Sequence, residues 1–305
     1  MTVVEFGAAY HGAFLNNLSL FAACVLIWGT TWLAITFQLG TVAPEVSVSH
    51  RFLLAALVIA AWCRLRGLSL RFSKPDHLAL AFMGVAMYGI SYVCVYHAEL
   101  HVASGLVAIG YSASPLLSTL GMRLFFGTPV TPRMALGSAL GILGISLVYW
   151  PEARGVSASS DVLLGALFTA LGVLLSMSGG LMAHRNHALG LHGWPSMAWS
   201  MGYGALAALI AALAMGRTYT IDLGAPYLLS LAYLAILGSV VTFAGWLTLV
   251  GRIGVARASY VGVMAPVVAL FVSTAFEGFA WHWLTAAGVA VSIAGNVLVL
   301  GGRKD

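Results

Sequence analysis

The stretch PLLSTLGMRLFFG, from Pro115 to Gly127, returns in related form as PVVALFVSTAFEG, from Pro266 to Gly278, 151 residues later in the chain. Proline restricts the backbone and glycine frees it, so a shared spacing of these residues indicates a shared backbone. The same shift aligns further prolines and glycines without a gap: Pro44 with Pro195, Pro75 with Pro226, Gly29 with Gly180, Gly137 with Gly288, and Gly144 with Gly295. The chain is therefore predicted to contain two copies of one unit.

Each copy is dominated by long apolar segments. Of the 305 residues, 61% are hydrophobic and only 8% are charged, which is too apolar for a water-soluble domain of this size. About 20 apolar residues cross a bilayer as one helix. We predict an all-α integral membrane protein with ten transmembrane helices, at residues 18–37, 43–62, 77–97, 102–120, 132–150, 160–182, 196–214, 226–247, 256–274 and 282–300.

The two copies, residues 18–150 and 160–300, hold five predicted helices each. An odd number of crossings forces the second copy to enter the bilayer from the opposite side, which makes the copies an inverted repeat. Such repeats are typical of transporters that work by alternating access. Residues 1–17 and 301–305 are predicted to be short cytoplasmic tails, and the first of them lacks the basic start of a signal peptide.

The lysines and arginines support this topology, because basic residues accumulate in cytoplasmic loops. With the N-terminus in the cytoplasm, the outer loops hold Arg154 and Arg217, and Arg51 lies within a span. The other basic residues fall on the cytoplasmic side: Arg64, Arg66, Arg71, Lys74, Arg123, Arg133, Arg185, Arg252, Arg257, Arg303 and Lys304. Both termini are thus predicted to be cytoplasmic. The net charge of +5 then reflects topology and not nucleic-acid binding.

Signals for metal sites and catalysis are missing from the sequence. Cys24, Cys63 and Cys94 lie inside predicted spans without paired spacing, which argues against disulfides and zinc. The closely spaced histidines, His97 with His101 and His184 with His187, lie at span ends or in loops, away from clusters of carboxylates or thiols. No metalloprotease, serine-hydrolase or phosphate-loop motif occurs. We therefore predict no metal, no other cofactor and no enzymatic activity.

Several motifs resemble one known family. They are Trp28-Gly29-Thr30-Thr31-Trp32, Arg51-Phe52, Trp246, Ala256-Arg257-Ala258-Ser259, Pro266, Glu277 and the region from Pro115 to Gly127. Together with the five-plus-five topology, their order is similar to the EamA pattern of the drug/metabolite transporter superfamily over nearly the whole chain. The resemblance implies a ten-helix exporter of amino acids and related metabolites in the bacterial inner membrane, with YddG-type aromatic amino-acid exporters as the most similar subgroup. The repeat pairs Glu277 with Phe126, so the resemblance assigns Glu277 no transport role.

Polar and aromatic residues within the spans mark a candidate substrate pathway. In the third span, tyrosines recur every four residues from Tyr88 to Tyr96 and so share one helix face. The shift of 151 residues carries this face onto the eighth span. The candidate lining residues on the two spans are Tyr88, Tyr92, Ser239, Phe243 and Trp246. The alternative interpretation is an aromatic packing seam between helices.

The first and fourth spans add further candidates for the pathway: Trp28 and Thr31 in the first, and Tyr111 and Ser112 in the fourth. Pro115 follows closely and frees a backbone carbonyl in the preceding turn. Pro115 and its repeat partner Pro266 are therefore candidate hinges for alternating access, with static kinks as the alternative.

Arg51 is the most informative single residue, because ionisable side chains within a span are costly and normally face a cavity or a partner. It is a candidate ligand for a substrate carboxylate. Two alternatives are open, namely snorkelling to the interface and a structural pair with Glu45 or with free carbonyl groups. His50 is adjacent in sequence, but neighbouring helical residues point in different directions.

The charges also limit the class of substrate. A strongly anionic substrate would need several cations within the membrane, and only Arg51 lies well inside a span. A cationic drug would favour a carboxylate at mid-span, whereas the acidic residues Glu45, Glu99, Asp161 and Glu277 are predicted near the outer interface. Neutral or zwitterionic molecules remain, and aromatic and hydroxyl groups suit amino acids with apolar side chains.

The sequence alone leaves the transport mechanism and the oligomeric state open. Apart from Arg51, the titratable candidates within the spans are His50 and His97, so facilitated transport is the leading mechanism and proton antiport the alternative. A channel or a lipid flippase are other possible classes. Small residues in the fifth and tenth spans predict close helix packing between the copies or between subunits of a homodimer: Gly137, Gly141, Gly144, Gly288, Ser292 and Gly295.

Overall fold

The structure is a computed structural model that describes residues 17–154, 160–253, 258 and 260–300. The predicted tails, apart from Asn17, lie outside these residues. The described part of the chain is all-helical. Its helices are α1 (Asn17–Thr36), α2 (Pro44–Leu65), α3 (Lys74–Gly84, Val85–Ile90 and Ser91–Glu99), α4 (Ser104–Tyr111 and Ser114–Phe126), α5 (Pro132–Arg154), α6 (Ser160–Ala188), α7 (Trp194–Ala214), α8 (Ala225–Ala232, Tyr233–Val241 and Thr242–Ile253), α9 (Tyr260–Phe276) and α10 (Trp283–Leu300).

These helices follow the predicted spans closely. By length and composition, α1 to α8 are each able to cross a membrane, and α9 and α10 are shorter apolar helices. The prediction of an all-α membrane protein is therefore confirmed. The clearest differences in length are at α4, α6 and α8, which continue to Phe126, Ala188 and Ile253, beyond their predicted ends at residues 120, 182 and 247. Likewise, α5 runs through Pro151 to Arg154.

The repeated prolines and glycines lie at equivalent helix ends in the two copies. Pro44 and Pro195 are in the first turns of α2 and α7, where the missing N–H group costs no hydrogen bond. Gly127 ends α4 with a φ angle of 68°, and Gly278 follows α9 with a φ angle of 71°. Residues with a Cβ atom rarely adopt such angles, which explains why glycine stands at both positions.

Two helices contain a stretch of π-helix at equivalent positions. It covers Val85–Ile90 in α3 and Tyr233–Val241 in α8. The first stretch, shifted by 151 residues, falls on residues 236–241, within the second. In α8 the hydroxyls of Ser239 and Thr242 each donate a hydrogen bond to the carbonyl five residues earlier, at 2.9 and 2.6 Å. Wide turns of this kind recur at functional sites.

Helices of both copies mix to form two lobes of four helices. We define lobe 1 as α3, α4, α6 and α7, and lobe 2 as α1, α2, α8 and α9, with an extensive contact of α2 with α7 linking the two. The two lobes are related by the repeat. Counting five helices onward, and continuing from α10 to α1, turns α3, α4, α6 and α7 into α8, α9, α1 and α2. The remaining helices, α5 and α10, pack mainly against each other.

Small residues bring α5 and α10 close together. A methyl group added at Gly144 would lie 2.6 Å from the carbonyl oxygen of Gly288 and 2.5 Å from the amide nitrogen of Ser292. A methyl group added at Gly295 would lie 2.5 Å from the carbonyl oxygen of Gly137. The predicted small-residue packing therefore lies between the two copies of one chain.

The two lobes are joined more closely at one end of the bundle than at the other. The first part of α4, Ser104–Tyr111, packs on α1 and α9 of lobe 2, whereas its second part, Ser114–Phe126, packs on α5, α6 and α10. The first part of α3, Lys74–Gly84, also packs within its own lobe, on α6 and α7. At the end of the bundle where α3 begins and α4 ends, the contact of α2 with α7 is therefore the main one between the lobes among the described residues.

The two ends of the bundle also differ in charge. At the joined end, Glu45 pairs with His97, Asp161 lies near His101, and Glu277 binds Ser104. We call this end, with Glu45, Glu99, Asp161 and Glu277, the acidic end. The opposite end, with Arg64, Lys74, Arg123 and Arg133, is called the basic end.

Candidate functional site

Arg51 lies on α2 between the two lobes and is only 2% exposed. Its Nε atom donates a long hydrogen bond of 3.4 Å to Oγ of Ser239 in α8. Its guanidinium carbon lies 4.6 Å from the ring centre of Tyr92 and 5.1 Å from that of Phe52. Rings at these distances attract a cation through their π electrons. Residues of α2, α3 and α8 thus hold one positive charge at the lobe interface.

One nitrogen of this guanidinium is unused. Nη1 of Arg51 is buried and has no hydrogen-bond partner among the described residues. Glu45, the partner that the sequence offered, binds His97 instead, with 2.6 Å between Oε1 and Nε2. A buried donor without a partner is costly, so Nη1 marks a place where an anionic group or a water molecule would bind.

Four aromatic side chains form a connected group near the middle of the bundle. The ring centre of Tyr88 lies 5.5 Å from that of Phe52 and 5.7 Å from that of Phe243. Phe243 in turn lies 5.3 Å from Trp28. Nε1 of Trp28 donates a hydrogen bond of 3.1 Å to the carbonyl of Gly238, within the π-helical stretch of α8. Because Tyr88 belongs to lobe 1 and the other three rings to lobe 2, the group spans the interface.

Tyr111 lies at the border of this aromatic group. Its ring centre is 5.3 Å from that of Trp32, in the opposite lobe. Its hydroxyl is 2.9 Å from Oγ of Ser91, which itself donates to the carbonyl of Gly172 at 3.0 Å. The hydroxyl is therefore used within lobe 1, and the half-buried ring is the part that faces the other lobe.

Two of the predicted lining residues lie elsewhere. Oγ of Ser112 is 3.1 Å from Oγ of Ser292 in α10, and it also donates to a carbonyl of its own helix. Nε1 of Trp246 donates to the carbonyl of Ala258 at 3.2 Å, towards the basic end. We place neither side chain in the candidate site.

Thr31 lies near the site but has its hydroxyl occupied. The hydroxyl donates to the carbonyl of Trp28 at 2.7 Å, and the side chain is 7% exposed. The candidate site, which we call the Arg51 site, consists of the predicted residues that the structure brings together, with Phe52 added: Trp28, Arg51, Phe52, Tyr88, Tyr92, Tyr111, Ser239 and Phe243.

The two candidate hinge prolines lie in differently shaped helices. α4 is interrupted between Tyr111 and Ser114, and Pro115 stands at the start of its second part. α9 runs without a break through Pro266, from Tyr260 to Phe276. Equivalent helices of the two copies therefore differ here, although their sequences share the proline.

The side chain of His50 points away from Arg51, as expected for adjacent residues of a helix. Its Nδ1 atom lies 3.1 Å from the hydroxyl of Tyr227 in α8, and its ring centre is 4.8 Å from that of Tyr219. Both tyrosines lie towards the acidic end. His50 therefore belongs to the packing of that end and not to the Arg51 site.

The acidic end contains two buried carboxylates that the sequence predicted at the interface. Glu45 has no exposed surface, and its Oε2 atom lies 4.0 Å from Nε of Arg217. Glu99 is 8% exposed, and neither of its oxygens has a hydrogen-bond partner in the described part of the chain. By contrast, Glu277 accepts hydrogen bonds from the backbone N–H and the hydroxyl of Ser104, at 3.2 and 2.6 Å. Ser104 begins α4, where the helix dipole favours a negative charge.

A separate cavity of about 390 Å³ lies between α4, α5 and α6. Its lining is mostly apolar and includes Ala113, Tyr149, Ala166, Thr169 and Leu174. It shares no residue with the Arg51 site. Among the described residues, no group of three or more histidine, cysteine, aspartate or glutamate side chains is placed to hold a metal ion.

Known proteins are similar to this chain in sequence or in fold. The uncharacterized inner membrane transporter YedA of Escherichia coli strain K12 is 25% identical over 304 residues, which cover 95% of this chain and 93% of YedA. Protein PagO of Salmonella typhimurium strain LT2 is 27% identical over 154 residues, half of each chain. A solved crystal structure superposes with a TM-score of 0.65 at 17% identity, covering 92% of this chain and 94% of that one, which concerns the fold alone.

The match to a known family lies in the first copy. Residues 16–150 match the EamA-like transporter family, as the motifs of the sequence predicted. The transporter relatives extend over nearly the whole chain, and the helices form an apolar membrane bundle around the Arg51 site. The chain therefore carries an EamA-like transporter domain in its first copy and is built as a multi-pass bundle of apolar helices.

Proposed function

We propose that this transporter exports neutral or zwitterionic small metabolites across the bacterial inner membrane, above all amino acids with aromatic or other apolar side chains. The observation that carries the proposal is the unused Nη1 of the buried Arg51, next to a group of aromatic rings between the lobes. Arg51 binds the substrate carboxylate, because a guanidinium pairs well with that group. The aromatic rings bind the apolar side chain.

The amount of charge in the site supports this class of substrate. Among the described residues, Arg51 is the only buried lysine or arginine. One cation balances one carboxylate, whereas a nucleotide sugar or a phosphate ester would bring more negative charge than the site can compensate. An amino acid also brings an apolar side chain that fits beside Phe52, Tyr88 and Phe243.

The two lobes supply the movement in this proposal. They are joined at the acidic end by several helix pairs, whereas towards the basic end the contact of α2 with α7 is the main one between them. If the basic end lies in the cytoplasm, as the lysines and arginines predict, the structure faces inward and receives its substrate from the cytoplasm. Export then requires the lobes to part at the acidic end and to join at the basic end.

Facilitated transport is our leading mechanism, because the Arg51 site itself contains no histidine or carboxylate. Proton-coupled antiport is the second candidate. It is favoured by the buried pair of Glu45 and His97, whose members belong to different lobes. The site is built from one chain, so a monomer holds the whole proposed pathway and a homodimer is not required.

The test is efflux of labelled phenylalanine, threonine and methionine from proteoliposomes, with and without an imposed pH gradient. We expect saturable efflux that ignores the gradient. Arg51→Gln should reduce it by at least about tenfold, because the partner of the carboxylate is lost. Arg51→Lys should retain part of it, since lysine keeps the charge and loses the planar fork. Arg217→Gln, which changes a half-exposed arginine at the acidic end, is the matched control.

Each contrary result has a defined meaning. Absence of flux for all three amino acids would contradict the amino-acid assignment and direct the search to lipids or cationic drugs. Flux that rises linearly with concentration would indicate a channel. Flux that follows the pH gradient would favour the antiport mechanism over facilitated transport.

A further inference from the structure

Glu99 and Arg51 have side chains that ionise with opposite sign, and both are deeply buried and incompletely satisfied. Glu99 is 8% exposed and Arg51 is 2% exposed. Both oxygens of Glu99 and Nη1 of Arg51 lack hydrogen-bond partners among the described residues. Buried polar atoms without partners are costly, so an unpartnered carboxyl group and an unpartnered guanidinium nitrogen indicate that a ligand or water completes them.

The two groups flank the same side chain. Glu99 lies three residues, or about one helical turn, after Tyr96 on α3, towards the acidic end. The guanidinium of Arg51, on α2, lies beside the Tyr96 hydroxyl, and the charges of Arg51 and Glu99 are close enough to interact. The Tyr96 hydroxyl donates to Oε1 of Gln38 at 2.6 Å. Its proton is therefore not available to Glu99.

The other acidic groups near Glu99 are already bound. Glu277, whose charge also acts on Glu99, accepts two hydrogen bonds from Ser104. Glu45 binds His97 and lies near Arg217. Among the carboxylates of the acidic end in the described part of the chain, Glu99 is thus the one in which both oxygens lack a hydrogen-bond partner.

We propose that Arg51 and Glu99 together bind the head group of a zwitterionic α-amino acid, Arg51 its carboxylate and Glu99 its ammonium group. This inference rests on the proposed function and assigns a role to a residue outside the Arg51 site. A zwitterion satisfies both buried charges and adds no net charge to the interior. The head group lies towards the acidic end, and the side chain points to the rings of Phe52, Tyr88 and Phe243.

This arrangement selects molecules that carry both groups on one carbon. An acid without the amino group leaves Glu99 unpaired, and an amine without the carboxylate leaves Arg51 unpaired. A site with buried polar partners rejects a ligand that leaves one of them unsatisfied far more strongly than an apolar pocket rejects a change in size. The transporter should therefore move phenylalanine and discriminate against both 3-phenylpropionate and phenethylamine.

The test compares proteoliposome efflux of these three labelled compounds in the wild type, Glu99→Gln and Arg51→Gln. We expect the wild type to prefer phenylalanine to each analogue by at least about tenfold. Glu99→Gln should slow phenylalanine by about tenfold and bring the ratio of phenylalanine to 3-phenylpropionate close to one. Arg51→Gln should instead reduce the preference over phenethylamine. Glu277→Gln, which changes a carboxylate with partners at the same end, should leave both ratios unchanged.

The outcomes separate this inference from the proposed function. If the wild type moves none of the three compounds, the amino-acid assignment fails. If it moves phenylalanine and Glu99→Gln keeps the wild-type preference over 3-phenylpropionate, the role of Glu99 is overturned. Should Glu99→Gln not fold, Glu99→Asp serves as the second variant. It keeps the charge on a shorter side chain, so it must raise the KM for phenylalanine and keep the preference, and an unchanged KM would overturn the role.

Discussion

Nε2 of His97, in lobe 1, lies 2.6 Å from Oε1 of Glu45, a fully buried carboxylate in lobe 2. The pair crosses the lobe interface at the acidic end, where the lobes have to separate for transport in our proposal. His97 is held further by its ring, which stacks on Phe168 at 5.1 Å between ring centres. In our proposal the pair therefore holds this end closed, and it breaks when the end opens.

Removing either member of this pair should destabilise the protein. Each variant leaves a buried polar group without its hydrogen-bond partner, which costs about 1–3 kcal/mol. We expect Glu45→Gln and His97→Gln each to lower the free energy of unfolding. The double variant should lose less than the sum of the two, with a coupling of about 0.5–3 kcal/mol. Thermal and denaturant unfolding of the purified variants would measure this coupling.

The control for this cycle is His282→Gln, which changes an exposed histidine. Its effect on unfolding should be within about 0.5 kcal/mol. If the effects of Glu45→Gln and His97→Gln were simply additive, the contact would not hold the acidic end closed.

Tyr92 should act through its ring and not through its hydroxyl. The guanidinium carbon of Arg51 lies 4.6 Å from the ring centre of Tyr92, and Phe52 contacts the same ring at 4.8 Å. A cation–π contact of about 0.5–2 kcal/mol corresponds to a change in affinity of roughly 2-fold to 30-fold. We expect Tyr92→Ala to raise the KM for phenylalanine within this range. Tyr92→Phe should change the KM by less than about twofold, because it keeps the ring. Equal losses in both variants would show that the hydroxyl is the important group.

Local sequence signals predicted the helices well. Hydropathy and the repeated prolines are properties of short segments, and they place helix starts such as that at Pro44. The end of α4 at Phe126 lies beyond the predicted end at residue 120. Arg51 could also be identified, because a charge in an apolar segment is visible without knowledge of the fold. The tyrosine stripe is similarly local, and the structure places Tyr88 and Tyr92 against Phe52, as residues on one helix face should lie.

The burial of Glu45 and Glu99 could not be predicted in this way. Both lie near helix ends, where a carboxylate ordinarily meets water or lipid headgroups. Whether such an end is buried depends on the helices that pack around it, and these come from distant parts of the chain. Ser112 and Trp246 show the same limit, because the direction of each side chain depends on the rotation of its helix in the bundle. The π-helical stretches have no signature in composition.

The glycine contact between α5 and α10 should be sensitive to a single methyl group. A Cβ atom at Gly144 would lie 2.6 Å from the Gly288 carbonyl oxygen, a distance that forces the helices apart. We expect Gly144→Ala to reduce the free energy of unfolding by about 1–3 kcal/mol, the usual cost of overpacking. Gly262→Ala is the control, because nothing lies within 4 Å of a methyl group added there. The control should be neutral or slightly stabilising, since alanine favours helix. Equal unfolding curves for the two variants would contradict this packing.

Pro266 should affect the rate of transport more than substrate affinity. α4 is broken just before Pro115, whereas α9 runs straight through Pro266. If the copies exchange shapes when the lobes move, α9 has to break where α4 is now broken. Proline favours such a break, because it removes a backbone donor. We expect Pro266→Ala to lower the kcat of phenylalanine efflux by about threefold to tenfold and to leave the KM within about twofold.

The matched control for this prediction is Pro195→Ala. Pro195 lies in the first turn of α7, where proline starts a helix and interrupts none, so the kcat should stay close to that of the wild type. A changed KM with an unchanged kcat in Pro266→Ala would mean that Pro266 shapes the binding site. If both kcat and KM were unchanged, α9 would not bend at this proline. Loss of the proline from a hinge that limits the rate should slow the transport cycle.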